Sequence, residues 1–109
     1  ARKVTQLLTL AADAVRELGG TRITMCKSAK DRTSMSVTLE ESRVLSAGGM
    51  PVDAHQLSLD ALRACGVRRQ NARKNVGVAR FAFNKLQLEM LPKAYRPPLS
   101  TIGGGKVAT

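Results

Sequence analysis

The run Cys26-Lys27-Ser28-Ala29-Lys30-Asp31-Arg32-Thr33 places a thiol six positions ahead of a guanidinium, with small or polar residues between. That spacing lets the backbone curl into a cup whose successive N–H groups point at one phosphate. A helix starting behind the cup adds positive potential. The same field favours the thiolate, which is the reactive form of cysteine. Ser28 and Ala29 would line the cup through their backbone, and Arg32 would grip two equatorial phosphate oxygens at once, which a lysine cannot do. The chemistry that suits these groups is attack of Cys26 on phosphorus, giving a phosphocysteine that water hydrolyses. Thr33 stands where it either hydrogen-bonds the thiolate or simply caps the helix. The plain alternatives are a buried structural cysteine and a surface arginine.

The flanking residues say what must hold such a loop. Thr21-Arg22-Ile23-Thr24-Met25 is β-type and alternates, so it reads as a short buried strand; the residues from Thr33 onward read as a helix to about residue 46. The expected fold class is therefore α/β: a strand–phosphate loop–helix unit followed by a mainly helical remainder. Val4, Leu7, Leu8, Ala11, Val15 and Leu18 recur at helical spacing over residues 3–18, and Gly19-Gly20 stops that helix. Further helices are expected over 54–64, over the basic stretch 69–75 as a helix or turn, and over 79–91 ahead of Pro92. One strand cannot make a sheet, so its partners are expected upstream. The chain opens with Ala1 and reads as a processed chain or as part of a larger phosphatase domain, with residues 1–98 its C-terminal portion and 99–109 a flexible glycine-rich tail.

Composition narrows the classes. The chain has 109 residues and a net charge of +10, from 18 Lys+Arg against 8 Asp+Glu. Arg68, Arg69, Arg73, Lys74, Arg80 and Lys85 fall in one stretch without an acid. Such a surface attracts polyanions: nucleic acid, anionic lipid head groups or inositol phosphates. A basic nucleic-acid module is the competing class, but stacking aromatics are scarce and no binding motif is present. No apolar run is long enough to span a bilayer and no signal peptide opens the chain. Two cysteines make no disulfide framework, which points to a reducing, cytoplasmic setting. One histidine and two distant cysteines make no zinc site, and the expected chemistry needs no metal or cofactor. His55 reads as exposed and Cys65 as a small core residue. With one Tyr, two Phe and no Trp, the core is expected to be Leu, Val, Ala and Met.

The loop string resembles that of the inositol polyphosphate 4-phosphatase family. The likeness continues through Ser34-Met35-Ser36-Val37-Thr38-Leu39-Glu40, Arg69-Gln70-Asn71, Lys74-Asn75-Val76-Gly77, Phe81-Ala82-Phe83-Asn84, Leu86-Gln87-Leu88 and Tyr95-Arg96-Pro97-Pro98. It runs from about Arg22 to Pro98 and is loose over Arg43 to Val67. The resemblance implies removal of the 4-phosphate from phosphatidylinositol 3,4-bisphosphate, and possible action on soluble inositol polyphosphates, with peripheral association to membranes through the lipid. A 3-position or other inositol-phosphate phosphatase with a similar loop is the alternative, and a non-catalytic polyanion-binding module the alternative from another class. Lys27 and Lys30 fit a substrate with a second phosphate on the ring; the phosphoinositide 3-phosphatase related to tensin has lysines at the same two loop positions. A solvated charge pair is the plain reading. Asp31 stands directly before Arg32, as in the Asp-Arg-Thr of myotubularins, where that aspartate is assigned as general acid. Here it would protonate the leaving inositol oxygen, or else orient Arg32 or cap the helix.

Overall fold

The computed structural model describes residues 5–27 and 30–103. Its regular elements are α1 (Gln6–Glu17), α2 (Asp31–Ala47), α3 (His55–Ala64), α4 (Val67–Val76) and α5 (Lys85–Met90), with 3-10 turns at Val52–Ala54, Lys93–Tyr95 and Leu99–Thr101. α2 is the axis. Asp31, Met35, Thr38, Leu39 and Ser42 recur every three or four residues and are all buried, which gives the helix one inward stripe. α3 packs on that stripe. Leu59 of α3 joins Met35, Leu39, Phe81, Phe83, Leu88, Tyr95 and Ile102 in a single core, with Leu91 packed against it.

The expected α/β unit is not formed. Among the described residues there is no strand, and the only ladder-type pairing is an isolated bridge between Phe81 and Ile102. Residues 20–26 run as irregular chain, with Ile23 and Met25 88% and 74% exposed. The reason is physical: β-preference expresses packing against neighbouring strands, and no described segment lies alongside this one as a strand. Arg22 instead donates to the Leu8 carbonyl at 2.6 Å, tying the segment to α1. The expected core composition changes too. Both phenylalanines and the tyrosine are buried together, with the Phe81 and Phe83 rings 6.4 Å apart, whereas Val37, Val44, Val52, Val67, Val76 and Val78 are exposed.

α1 is attached mainly by charge. Ala12 is its one buried residue, and Leu7, Leu8 and Leu18 of the expected apolar face are exposed. Arg16 reaches Glu40 at 2.9 Å, and Arg43 spans Glu40 and Asp13 at 2.6 and 2.5 Å. The last expected helix is shorter than its apolar spacing suggests. Asn84 and Gln87 close a reciprocal capping box, each side chain accepting from the other residue's N–H, so α5 starts at Lys85. Beyond it the chain stays packed through Gly103: the Phe81 N–H donates to Thr101 O at 2.7 Å and the Gly103 N–H to Phe81 O at 2.8 Å. Residues 104–109 of the expected tail lie outside the described residues.

Without a sheet, many loop carbonyls need donors from elsewhere. Arginines supply them. Arg63, 1% exposed, donates to Thr38 Oγ1, Met35 O, Ala94 O and Arg96 O at 2.7–3.1 Å. Burial pushes its guanidinium down to about 10, so it remains charged at neutral pH. Arg69 donates to the Ala64 and Ala79 carbonyls, and Arg96 to those of Leu91 and Glu89.

The turn between α3 and α4 depends on Gly66. A Cβ there would stand 2.2 Å from the Leu62 carbonyl oxygen, so the backbone would have to shift. Gly66→Ala is expected to cost about 2 kcal/mol or more, lowering the melting temperature by roughly 10 °C. An unchanged midpoint in thermal melts of the chain would contradict this.

Candidate functional site

α2 explains how the loop residues are presented. Asp31 is the first residue of the buried stripe, so Arg32, turned about 100° further round the helix, faces solvent and is exposed. Thr33, one more position on, points back toward the end of the segment before the loop. There its hydroxyl donates to Cys26 Sγ at 3.0 Å. Of the two readings of Thr33, the structure shows the hydrogen bond to sulfur. Cys26 is half-buried and in no disulfide. Lys27 and Lys30 are exposed on either side of the loop, and Lys30 immediately precedes α2. Ser28 and Ala29, with the expected cup of N–H groups, lie outside the described residues.

The 17-residue α2 directs its positive end at this point. The Cys26 thiol thus stands beside a helix N-terminus and accepts from a hydroxyl. Asp31 has a different environment from the one expected of a proton donor. It is 9% exposed. Its Oδ1 accepts from Arg68 Nε at 2.7 Å and its Oδ2 from the Ala82 N–H at 2.8 Å. Sequence reasoning placed Arg68 in a basic surface stretch and gave Ala82 no role; no local signal ties residues 31, 68 and 82 together.

That basic stretch divides in two. Arg68 and Arg69 are half-buried and turned inward, to Asp31 and to backbone carbonyls. Arg73, Lys74 and Lys85 are exposed, and Arg80 is exposed with one N–H on Ile102 O at 3.2 Å. Two minor expectations change. Cys65 is exposed, at the C-terminal end of α3. His55 is half-buried, its Nδ1 3.1 Å from both Ser42 Oγ and Ser46 Oγ, where it helps join α2 to α3. A groove of ≈ 590 Å³ between α1, residues 20–24 and α2 is lined by Ala12, Val15, Thr24, Val37 and Val44 among others, and, among the described residues of the loop, by none of 26, 27 and 30–33. Among the described residues no helix is long and apolar enough to cross a membrane.

The model of the INPP4A C-terminal domain family matches residues 1–95. The chain is 49% identical to type II inositol 3,4-bisphosphate 4-phosphatase of Rattus norvegicus, over 94% of this chain and 11% of that protein. It is 48% identical to inositol polyphosphate 4-phosphatase type II of Homo sapiens, with the same shares covered. It is also 37% identical over 73 residues to the phosphatidylinositol 3,4,5-trisphosphate-dependent Rac exchanger 2 protein of Homo sapiens, over 66% of this chain and 4% of that protein. The chain thus spans about a tenth of the length of the two phosphatases it matches. No solved structure matches it.

Proposed function

Because the chain belongs to the INPP4A C-terminal domain family, we propose that it carries the thiol-bearing loop of a phosphatase that removes the 4-phosphate from phosphatidylinositol 3,4-bisphosphate. The observation that carries this reading is the Thr33 Oγ–Cys26 Sγ hydrogen bond at the N-terminus of α2. The thiolate attacks phosphorus: an S–P bond forms, the bond from phosphorus to the inositol oxygen breaks, and water then cleaves the S–P bond to release inorganic phosphate. Arg32, solvent-facing and one helical step from the loop, closes on the equatorial oxygens and balances their charge in the transition state. The leaving inositol oxygen takes up a proton. With both its oxygens engaged by Arg68 and Ala82, Asp31 enters this reading as a positioning group, and the proton comes from solvent water. Lipid substrate brings the protein to the membrane surface, where exposed Arg73, Lys74 and Lys85 meet anionic head groups.

The test is phosphate release by the full-length protein from vesicles containing phosphatidylinositol 3,4-bisphosphate, with the product's remaining phosphate located. The 3-monophosphate supports the reading. The 4-monophosphate, or no release, defeats it. The likeness to a Rac exchanger favours a second reading, in which the same surface binds phosphorylated head groups without turning them over. Binding without release of phosphate would select it.

Lys27 and Lys30 flank the loop and are exposed, free to meet a second phosphate on the ring. Changing both to Met is expected to lower kcat/KM on the bisphosphorylated lipid by about 30-fold, against about threefold on a small aryl phosphate, since the lost charge-assisted contacts exist only with the former. Equal losses on both substrates would mean that the lysines act on the loop's own shape or field.

A further inference from the structure

Asp31 joins three parts of the chain that are remote in sequence. Its Oδ1 accepts from Arg68, 37 residues on, and its Oδ2 from the backbone of Ala82, 51 residues on. Both attachment points are themselves fixed. Ala82 lies between the buried rings of Phe81 and Phe83, and Phe81 is bonded through its backbone to Thr101 and Gly103. Arg68 is the second residue of α4, whose start is set by the close approach of Gly66 to Leu62. The Arg68 and Asp31 side chains are only 12% and 10% exposed.

An ion pair this sheltered is a poor way to gain stability. The desolvation of both charges offsets most of their attraction, and apolar replacements of similar volume are often as stable or more so. What the pair supplies is direction. Arg68 Nε on Oδ1 and the Ala82 N–H on Oδ2 hold the carboxylate at both oxygens and so fix its direction, and this carboxylate belongs to the first residue of α2. Rotation of that first turn sets where the next two side chains stand, and these are Arg32 and Thr33.

We infer that Arg68 is a positioning residue for the thiol chemistry: through Asp31 it fixes the first turn of α2, and so the Thr33–Cys26 hydrogen bond and the direction of Arg32. The inference rests on the reading of Cys26 as nucleophile. A small rotation of the turn is enough to matter, because reaction rates fall steeply when reacting groups are displaced by about 1 Å.

The experiment uses the full-length protein and soluble inositol 3,4-bisphosphate. Arg68→Lys, Arg68→Met and the double variant Asp31→Asn/Arg68→Met are compared with the native protein in kcat, KM and thermal melting, with Cys26→Ser alongside. Arg68→Met is expected to lower kcat about 30-fold with KM within about threefold, the pattern of an interaction realised in the transition state. Arg68→Lys is expected to recover part of that loss, since it restores the charge but not the fixed direction of the Nε–H. The double variant, which removes both charges, is expected to melt near the native temperature and to remain as slow as Arg68→Met; a merely structural pair would regain turnover together with stability. Native kcat in a folded Arg68→Met, or in Arg68→Lys if Arg68→Met does not fold, overturns the inference, as does full turnover by the double variant. Turnover by Cys26→Ser defeats the nucleophile reading itself. An inactive Cys26→Ser beside fully active Arg68 variants defeats only the role of Arg68.

Discussion

Cys26→Ser in the full-length protein is expected to reduce turnover by roughly 10³-fold or more, with substrate affinity within about threefold of native. Sulfur and oxygen have similar reach here. Thr33 donates to Cys26 Sγ at 3.0 Å, and it can donate equally to a serine oxygen, so the variant keeps the local hydrogen bond. On the proposed reading it loses the sulfur nucleophile, since a serine hydroxyl is a far weaker nucleophile than a thiol. The groups proposed to hold substrate are unchanged in the variant: Lys27, Lys30 and Arg32 are exposed. Phosphate release measured under saturating substrate, together with direct binding of inositol 3,4-bisphosphate, separates the two quantities. Residual turnover above about one per cent, well beyond what loss of a nucleophile leaves, would mean that the thiol is not the attacking group.

The largest effect on stability is expected at Arg63. Its guanidinium is almost fully enclosed, and it joins α3 to Met35 and Thr38 of α2 and to the carbonyls of Ala94 and Arg96. Arg63→Met fills much of the volume but leaves buried acceptors without donors. Hydrogen bonds to a charged group are worth more than neutral ones, so the loss is expected to reach about 3 kcal/mol or more. For a domain of this size that is a fall of more than about 10 °C in melting temperature. Arg63→Lys should recover only part, because an ammonium has three N–H donors, on a flexible stem, for four acceptors. A melting temperature within about 2 °C of native for Arg63→Met, well under the change expected of such a loss, would show that the carbonyls find other partners.

What the sequence made legible was contiguous. Cys26 to Thr33 and the helix after it are adjacent in the chain, so the placement of a thiol at the start of α2 follows from local spacing. α3 was likewise legible, with its break at Gly66, whereas the basic stretch 69–75 read equally as a helix or a turn and stands within α4. The expected strand at residues 21–25 was a reading of local preference, and local preference does not supply a neighbouring strand. The start of α5 had a local signal, the Asn84–Gln87 pair, which apolar spacing over 79–91 obscured. Phe81 and Phe83, two apart, carry the alternation of an extended segment with both rings on one side, as they stand in the core. Asp31 is the instructive case. Its type and position suit a proton donor, but its surroundings come from Arg68 and Ala82, and contacts at such separations leave no mark in a single sequence. The same holds for Arg63, whose acceptors lie about 30 residues away.

The division among the arginines bears on how such a chain drifts. Arg63, Arg69 and Arg96 serve as cross-braces between loop carbonyls, whereas Arg73, Lys74 and Lys85 stand in water. Selection acting on net charge alone treats arginine and lysine as synonyms. In this chain they are synonyms only on the outside. Exchange between the two is expected to be close to neutral at positions 73, 74 and 85, which are exposed, and costly at 63 and 69, whose guanidiniums are turned inward onto backbone carbonyls.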